Sequence, residues 1–418
     1  MKRIRLGIFG VRRGSYYFES FLANNADIVA ICDVDELYMK KAVDKLGSNV
    51  AVYKSFDDFL EHPMDAVFVA NYFHEHADYA IRCLEKNIHV LSECTSNSTM
   101  AEGVKLVRAA EKSKAFYMLA ENYPFMLFNM EMKKVYEGGT LGKVLYAEGE
   151  YNHPGNAYNN DNLYLFYDNE KHWRNFLPRT YYITHSLAPI MYATGSLPVK
   201  VSAMPIFSPC PEDCSRATRI GDVAAIVTCL NDDNSVFKVT GHASFGGEDN
   251  SYRICGKKGM IENVRGTGGM ISLNYNSWQV PEGREEHNYY MPELVDKDAE
   301  LIKKSGHGGG DFFVARTFLN CIRENKSPDF DVYFATKLAS VAILGHRSIL
   351  NGGIPYDVPD FRKEEDRVRF ENDNDSPFWY SDGRAPTIPC CSVHDYAPTS
   401  LQLENFENAI EEDRRKQK

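Results

Sequence analysis

Apolar residues gather in short runs through the first third of the chain, and polar, helix-forming stretches separate them. Ile4, Leu6, Ile8 and Phe9 form the first run, which stops at Gly10; a helical stretch from Ser15 to Leu22 follows, then a second run, Ile28 to Cys32, ending in Asp33. The alternation continues with a helix over 36–46, a strand at 50–53 and a short helix that Ser55 caps and that runs to Leu60. A buried strand over Ala66 to Ala70, a helix from Ala77 to Lys86 and a strand at 89–93 come next. Continuous apolar runs mark strands buried on both faces, and strands alternating with helices predict a doubly wound parallel α/β sheet. In such sheets ligands bind beyond the carboxyl ends of the strands, where Gly10, Asp33, Asn71 and Glu93 all fall.

The pattern changes after the strand expected at 116–120. Strand-like runs at Ala224 to Leu230, Val236 to Thr240, Ser251 to Cys255 and Gly259 to Ile261 suggest an antiparallel sheet, completed by helices from Phe312 to Glu324 and Tyr333 to Asn351. The expected division is a nucleotide-binding Rossmann domain at 1–122, an α+β domain with an open, largely antiparallel sheet at 123–360, and a C-terminal extension at 361–418. The stretch Asn156 to Arg174, rich in Asn, Tyr and Asp, reads as a long loop over a site. Leu401 to Lys418 reads as an exposed helix or a frayed tail. There is no internal repeat.

Composition narrows the partners. A chain of 418 residues, 44% hydrophobic and 25% charged, is long enough for two ordinary globular domains. Its net charge of −11 offers no basic run to displace counterions from nucleic acid or to meet an anionic membrane. With neither an apolar leader after Met1 nor a run of membrane-spanning length, the expected compartment is the cytoplasm. Ten cysteines, scattered and partly on strands, suit reduced thiols. The spacing Cys210 to Cys214 has only the adjacent pair Cys390-Cys391 to complement it, so no metal is expected.

The first βαβ unit carries the candidate cofactor chemistry. A tight glycine turn lets backbone N–H groups approach a pyrophosphate, and a carboxylate closing the second strand accepts hydrogen bonds from a ribose. Asp33 stands 23 positions after Gly10, close to the roughly 20 residues such a fingerprint has. A carboxylate there repels a 2′-phosphate, which favours NAD, while Arg12 and Arg13 in the turn keep NADP open. The turn Gly10-Val11-Arg12-Arg13-Gly14 is imperfect, with Arg12 where a middle glycine would stand, and an ordinary strand-to-helix turn is its plain alternative. Oxidising a hydroxyl beside a nicotinamide needs a base, and imidazole has the nearest pKa to neutrality. His185, in Tyr181-Tyr182-Ile183-Thr184-His185, is the first choice, with Tyr182 to share the proton. Tyr151 and His153 project from one face of a strand, and Glu121 closes another, placed to hold a sugar hydroxyl. Trp173 is suited to stacking on a pyranose, and His307, in a glycine loop before a helix, is suited to a substrate contact. Each has a structural competitor: satisfied core histidines and buried aromatics look the same in sequence.

Several segments together resemble the Gfo/Idh/MocA oxidoreductases: the glycine turn, "VFVANYFHEHADYAIRCLEKNIHVLSE", "ENYPF", "GGTLGKVLYAEGEYNH", "GHGGGDF" and "SILNGGIPYDVPDF". Within them the chain is similar to the NAD-dependent α-N-acetylgalactosaminidase-like branch. That resemblance implies active-site roles for Glu121, for Tyr151 and His153 of a Y-x-H strand, and for Tyr182 and His185 of a Y-x-T-H segment. It implies NAD held by Gly10, Arg12, Arg13, Gly14, Asp33, Asn71, His76, Glu93 and Cys94, a carbohydrate substrate, and a homodimer or homotetramer. One departure stands out. Where most relatives have Glu-Lys-Pro, whose lysine bonds the reacting hydroxyl, this chain reads Glu93-Cys94-Thr95. The expected function is hydride transfer from a sugar or glycoside ring hydroxyl to NAD. The missing lysine moves weight towards an NAD-retaining glycosidase or lyase working through a 3-keto intermediate, and a non-catalytic NAD-binding subunit is the third reading.

Overall fold

The computed structural model describes residues 2–159, 163, 167, 169–215 and 219–416. The N-terminal strands are β1 (Ile4–Phe9), β2 (Ala26–Cys32), β3 (Ala51–Tyr53), β4 (Ala66–Val69), β5 (His89–Ser92) and β6 (Tyr117–Leu119). They form a six-stranded sheet in the order β3-β2-β1-β4-β5-β6, parallel at every pairing. The order reverses between β1 and β4, which opens a crevice at their carboxyl ends. Ile4, Leu6 and Ile8 of β1 and all of β4 are buried, as the unbroken apolar runs require.

The helices between these strands are α1 (Val11–Gly14), α2 (Phe18–Ala23), α3 (Glu36–Leu46), α4 (Phe56–Leu60), α5 (His76–Glu85) and α6 (Met100–Lys112). Local chemistry sets their starts: the Asp35 side chain accepts the Leu37 and Tyr38 N–H groups, and Thr99 with Glu102 closes a capping box. The helix expected from Ser15 begins earlier, at Val11, and a 3-10 turn at Ser15–Tyr17 interrupts it. Gly10 is the cause, since its left-handed conformation turns the chain directly from strand into helix.

The second half opens with α7 (Leu127–Glu137), β7 (Val144–Asn152), α8 (Thr184–Thr194), β8 (Pro198–Phe207), β9 (Asp222–Asn231), β10 (Val236–Thr240) and β11 (Asp249–Gly256). After β12 (Gly259–Asn263), β13 (Ile271–Tyr275) and β14 (His287–Tyr290) come α9 (Ala299–Lys304), α10 (Gly310–Glu324), α11 (Val332–Leu350) and β15 (Tyr356–Asp357). The nine strands run β14-β13-β12-β11-β7-β10-β9-β8-β15, antiparallel except where β7 and β10 lie parallel. Sequence patterning missed β8, where Pro198 and Pro205 and polar alternation hide the strand. Helix α11, buried along most of its length, packs between α6 of the first half and β8 of the second. No helix among the described residues is long and apolar enough to cross a membrane.

Beyond α12 (Glu364–Phe370) the chain returns to the first sheet before ending in α13 (Ser400–Lys416). The Ser381 N–H donates to Glu75 Oε1 at 2.7 Å, the Trp379 carbonyl accepts from His74 at 2.8 Å, and the Tyr380 hydroxyl lies 2.6 Å from that of Ser98. Helix α13 buries Phe406 and Ile410 against Leu163 and Tyr167. Of the two readings of the terminus the helix is the one observed, and it is not wholly exposed: one apolar stripe docks it onto Leu163 and Tyr167 of the long loop. The last two residues, and part of the expected loop at 156–174, lie outside the described residues.

Candidate active site

The cofactor end is built on a close approach of backbones. Gly10 has φ +89°, and a Cβ there would fall 2.3 Å from the Ala70 carbonyl. At Gly14 a Cβ would stand 2.4 Å from Cγ2 of Ile8, so glycine is what lets the helix lie against β1. Asp33 closes β2 with Oδ2 accepting the Val11 N–H at 2.7 Å and Oδ1 accepting the Asp35 N–H at 3.0 Å. Burial raises its carboxyl pKa against the pull of those N–H groups. Beside the turn, Oδ1 of Asn71 is buried and has no hydrogen-bond partner among the described residues. A cradle only glycine allows, a fixed carboxylate and an unsatisfied acceptor fit the pyrophosphate and ribose hydroxyls of a dinucleotide.

Two sequence readings change here. Nε of Arg13 donates to Glu93 Oε1 at 2.6 Å, and its Nη2 lies 3.7 Å from Asp311. Arg13 thus braces the turn against the end of β5 and the start of α10, and is not an open cation for a 2′-phosphate; Glu93 is its partner. Arg12 lies 5.9 Å from the Tyr38 ring. His76, read as a cofactor contact, is buried with Nδ1 2.9 Å from the Thr95 carbonyl and Nε2 3.2 Å from the Asn71 carbonyl. Both ring nitrogens face the chain itself, so His76 joins the loops after β4 and β5.

Where the lysine of the resemblance would stand, the Cys94 thiol donates to Glu121 Oε2 at 3.1 Å. Burial and the Glu121 charge push that thiol well above its ordinary pKa, so it stays a neutral donor. Glu121 follows β6 and is fully buried. Its Oε1 lies 2.9 Å from Nδ1 of His185 and accepts the Tyr123 N–H at 3.3 Å. Burial works to raise the Glu121 carboxyl, but His185, Cys94 and the Tyr123 amide outweigh it and hold the pKa below its usual value.

His185 sits in the first turn of α8, and that helix lies against β7 because of one residue. A Cβ on Gly149 would fall 1.9 Å from the Ser186 carbonyl oxygen, so any larger residue would push α8 and His185 away from Tyr151. Tyr252 donates to the His185 carbonyl at 2.6 Å. Around the imidazole, the Tyr123 ring stacks at 4.2 Å between centroids, while Tyr151 and Tyr182 meet it edge-on at 4.9 and 5.1 Å. The His185 side chain keeps 12% exposure. Burial raises the pKa of Tyr151 and of Tyr182, so both phenols are neutral donors near neutrality.

Other expected residues lie around this cluster. His153 stacks on Tyr151 at 5.8 Å and lies 6.2 Å from the His242 ring but is largely exposed, with Nδ1 3.2 Å from Glu248, and so reaches His185 through neighbouring rings. Trp173 is corrected as a sugar platform: it is 7% exposed, Phe73 stacks on it at 5.1 Å, and the Arg174 guanidinium lies 4.3 Å from its ring centre. His307 adopts φ +54°, a strained conformation for a non-glycine residue. Its Nδ1 lies 3.0 and 3.1 Å from the two oxygens of buried Asp311, and its ring is 5.9 Å from Tyr123. Although burial opposes it, the hydrogen bond from His307 and the Arg13 charge hold Asp311 at a pKa of about 2. Asp311, Tyr123 and Tyr252 escaped the sequence reading. Asp311 had a local signal, standing four positions after His307 at a helix start; Tyr252 had none.

Comparison with known proteins agrees with this architecture. Residues 4–121 match the family described as "Oxidoreductase family, NAD-binding Rossmann fold", and residues 215–366 match "Glycosyl hydrolase 109, C-terminal domain". A glycosyl hydrolase family 109 protein of Solibacter usitatus is 26% identical over 402 residues, covering 88% of this chain and 90% of that one. One from Bacteroides thetaiotaomicron is 23% identical over 410 residues, covering 87% and 85%. Among solved structures, levoglucosan dehydrogenase in complex with NADH and levoglucosan superposes with a TM-score of 0.71 at 17% identity, covering 86% of this chain and all of that one. An oxidoreductase domain protein from Kribbella flavida gives 0.73 at 18%, with the same coverage. These superpositions establish the shared fold.

Proposed function

This chain joins an NAD-binding domain of the Gfo/Idh/MocA oxidoreductases to a glycosyl hydrolase 109 C-terminal domain, and from that premise we propose that it oxidises a ring hydroxyl of a sugar or glycoside by hydride transfer. The observation that carries this reading is the 2.9 Å contact between Glu121 and His185. Bound NAD supplies the hydride acceptor. An ionised Glu121 keeps a proton on Nδ1 of His185, which leaves Nε2 as the base for the substrate hydroxyl, and it stabilises the imidazolium that results. Tyr151 and Tyr182 set their phenol rings edge-on to that imidazole, His307 offers a second imidazole across Tyr123, and the tyrosine walls keep bulk water from the imidazole.

A second reading rests on Cys94 and on the type of C-terminal domain. A neutral thiol gives an alkoxide none of the stabilisation an ammonium would. In a redox-neutral cycle hydride would leave C3 for bound NAD, which acidifies the C2 proton; a base removes that proton and the aglycone leaves C1 as its alcohol, water adds across the resulting C1=C2 bond with its oxygen on C1, and the hydride returns to C3. Incubating the NAD-loaded protein with a panel of glycosides separates the two, since NADH accumulates in the first and aglycone without net NADH in the second. Neither product from any glycoside would remove both.

Proposed alongside are a cytoplasmic setting, which suits ten free cysteines, and assembly into a homodimer or homotetramer through the second sheet. Leu145, Met204 and Ile206 are exposed there, and light scattering on the purified protein reads the mass.

A further inference from the structure

Strands β5 and β6 run parallel with Ser92 opposite Leu119, so Cys94 and Glu121, each two places further along, stand side by side past the strand ends. Both are buried, Cys94 at 6% exposure and Glu121 at 0%. The carboxylate divides its partners between its two oxygens. Oε1 lies 2.9 Å from Nδ1 of His185 and accepts the Tyr123 N–H at 3.3 Å. Oε2 accepts from the Cys94 thiol at 3.1 Å, and no other donor reaches it among the described residues.

A carboxylate buried away from water needs a donor for each oxygen, because a charged oxygen left unpaired carries its full desolvation cost. Without the thiol, Oε2 is bare, and Glu121 either turns away from His185 or takes up a proton. Both outcomes spoil the arrangement in which Nδ1 carries the proton and Nε2 is the base, since a protonated Glu121 donates to Nδ1 and moves the imidazole proton to Nε2. We propose that Cys94 is a positioning residue, whose thiol holds the Glu121 carboxylate turned towards the base. The inference rests on the hydride-transfer reading, in which His185 is that base. It adds what the side chain at this place does when it is not a lysine: it acts on the base through Glu121, not on the reacting hydroxyl.

The other charges around the pair are accounted for. Glu93, on the same loop as Cys94, has its carboxylate met by Arg13 at 2.6 Å. Tyr123, Tyr151 on β7 and Tyr252 on β11 face Glu121, and Tyr182 faces His185; burial keeps all four phenols protonated well past neutrality. His153, His242 and His307 lie one ring further off, against Tyr151 or Tyr123, and are the same in every variant compared below.

The test follows kcat/KM of the NAD-loaded protein against pH, with 4-nitrophenyl α-N-acetylgalactosaminide as the substrate. Losing the donor leaves the anionic carboxylate less stabilised, so the pair takes up its inactivating proton at higher pH. Cys94→Ala is expected to move the acid limb up by about one pH unit, while Cys94→Ser, which keeps a donor, holds the wild-type limb. An acid limb unmoved in Cys94→Ala, even with slower turnover, overturns the inference, as does a limb that Cys94→Ser moves equally far. If Cys94→Ala does not fold, Cys94→Val fills the space without a donor and is expected to show the same shift. If the wild-type protein turns over neither this compound nor any other glycoside, the proposed function fails, and titration of the His185 imidazole by nitrogen NMR, its signal identified by its loss in His185→Gln, still decides this inference. A midpoint raised in Cys94→Ala supports it, and an unmoved one overturns it.

Discussion

Oε1 of Glu121 and Nδ1 of His185 lie 2.9 Å apart, although the carboxylate comes from the end of the parallel sheet and the imidazole from a helix packed on the other sheet. The contact joins the two halves of the molecule at the candidate active site. In a neutral imidazole, a buried carboxylate held ionised favours the tautomer that carries its proton on Nδ1.

Replacing His185 by Ala is expected to lower kcat by about 10² to 10⁴, the usual worth of general base catalysis, with NAD affinity retained. Glu121→Gln keeps the shape, removes the charge and is expected to lower kcat in the same direction. Turnover measured beside NAD fluorescence titration checks both. Wild-type kcat in His185→Ala would take that residue out of the mechanism.

Cys94 is expected to resist alkylation in the native protein at mildly alkaline pH, because burial and Glu121 keep its thiol protonated. Peptide mapping by mass spectrometry after brief iodoacetamide treatment should find it unlabelled when folded and labelled in denaturant. Rapid native labelling would show that the thiol is neither buried nor held by Glu121.

Asp33→Ala should reduce the preference for NAD over NADP by at least about tenfold, since the repulsion of a 2′-phosphate is lost. The ratio of the two dissociation constants, measured for both proteins, is the readout. Equal use of NADP by the wild-type protein would contradict the role given to Asp33.

Asp311 is held at a pKa of about 2 when folded, below the unfolded value near 3.9. A depressed native pKa stabilises the fold above the unfolded pKa, and that stability is lost as pH falls through the native one. The window is therefore about pH 4 down to pH 2, and the buried carboxylate contributes roughly 2 kcal/mol at neutrality. Asp311→Asn should unfold at lower urea at pH 7 and show a shallower loss of stability between pH 4 and 2. An unchanged acid limb would mean that the carboxylate does not hold His307 as described.

Short local patterns made much of this molecule legible. Gly10, Asp33 and the buried runs of β1 and β4 follow from backbone sterics and burial period, which neighbouring residues alone set. His185, Tyr182, Tyr151 and Glu121 were also nameable, because each lies in a short motif, and the fold brings them into one cluster. Three readings went astray for a common reason. Arg13, His76 and Trp173 have side chains suited to binding a ligand, yet their partners are Glu93 and Asp311, two backbone carbonyls, and Phe73, all distant in sequence or in another element.

The chain by itself determined the parallel sheet and the glycine turn and marked the short motif that holds His185, since those depend on interactions within a few residues or on burial periodicity. Only the tertiary structure decided which charges are taken and which ring nitrogen of His185 faces Glu121. Pairing Glu121 with His185, pressing α8 onto β7 at Gly149 and folding the C-terminal extension over the insertion all depend on contacts between distant segments, and no local pattern encodes such contacts.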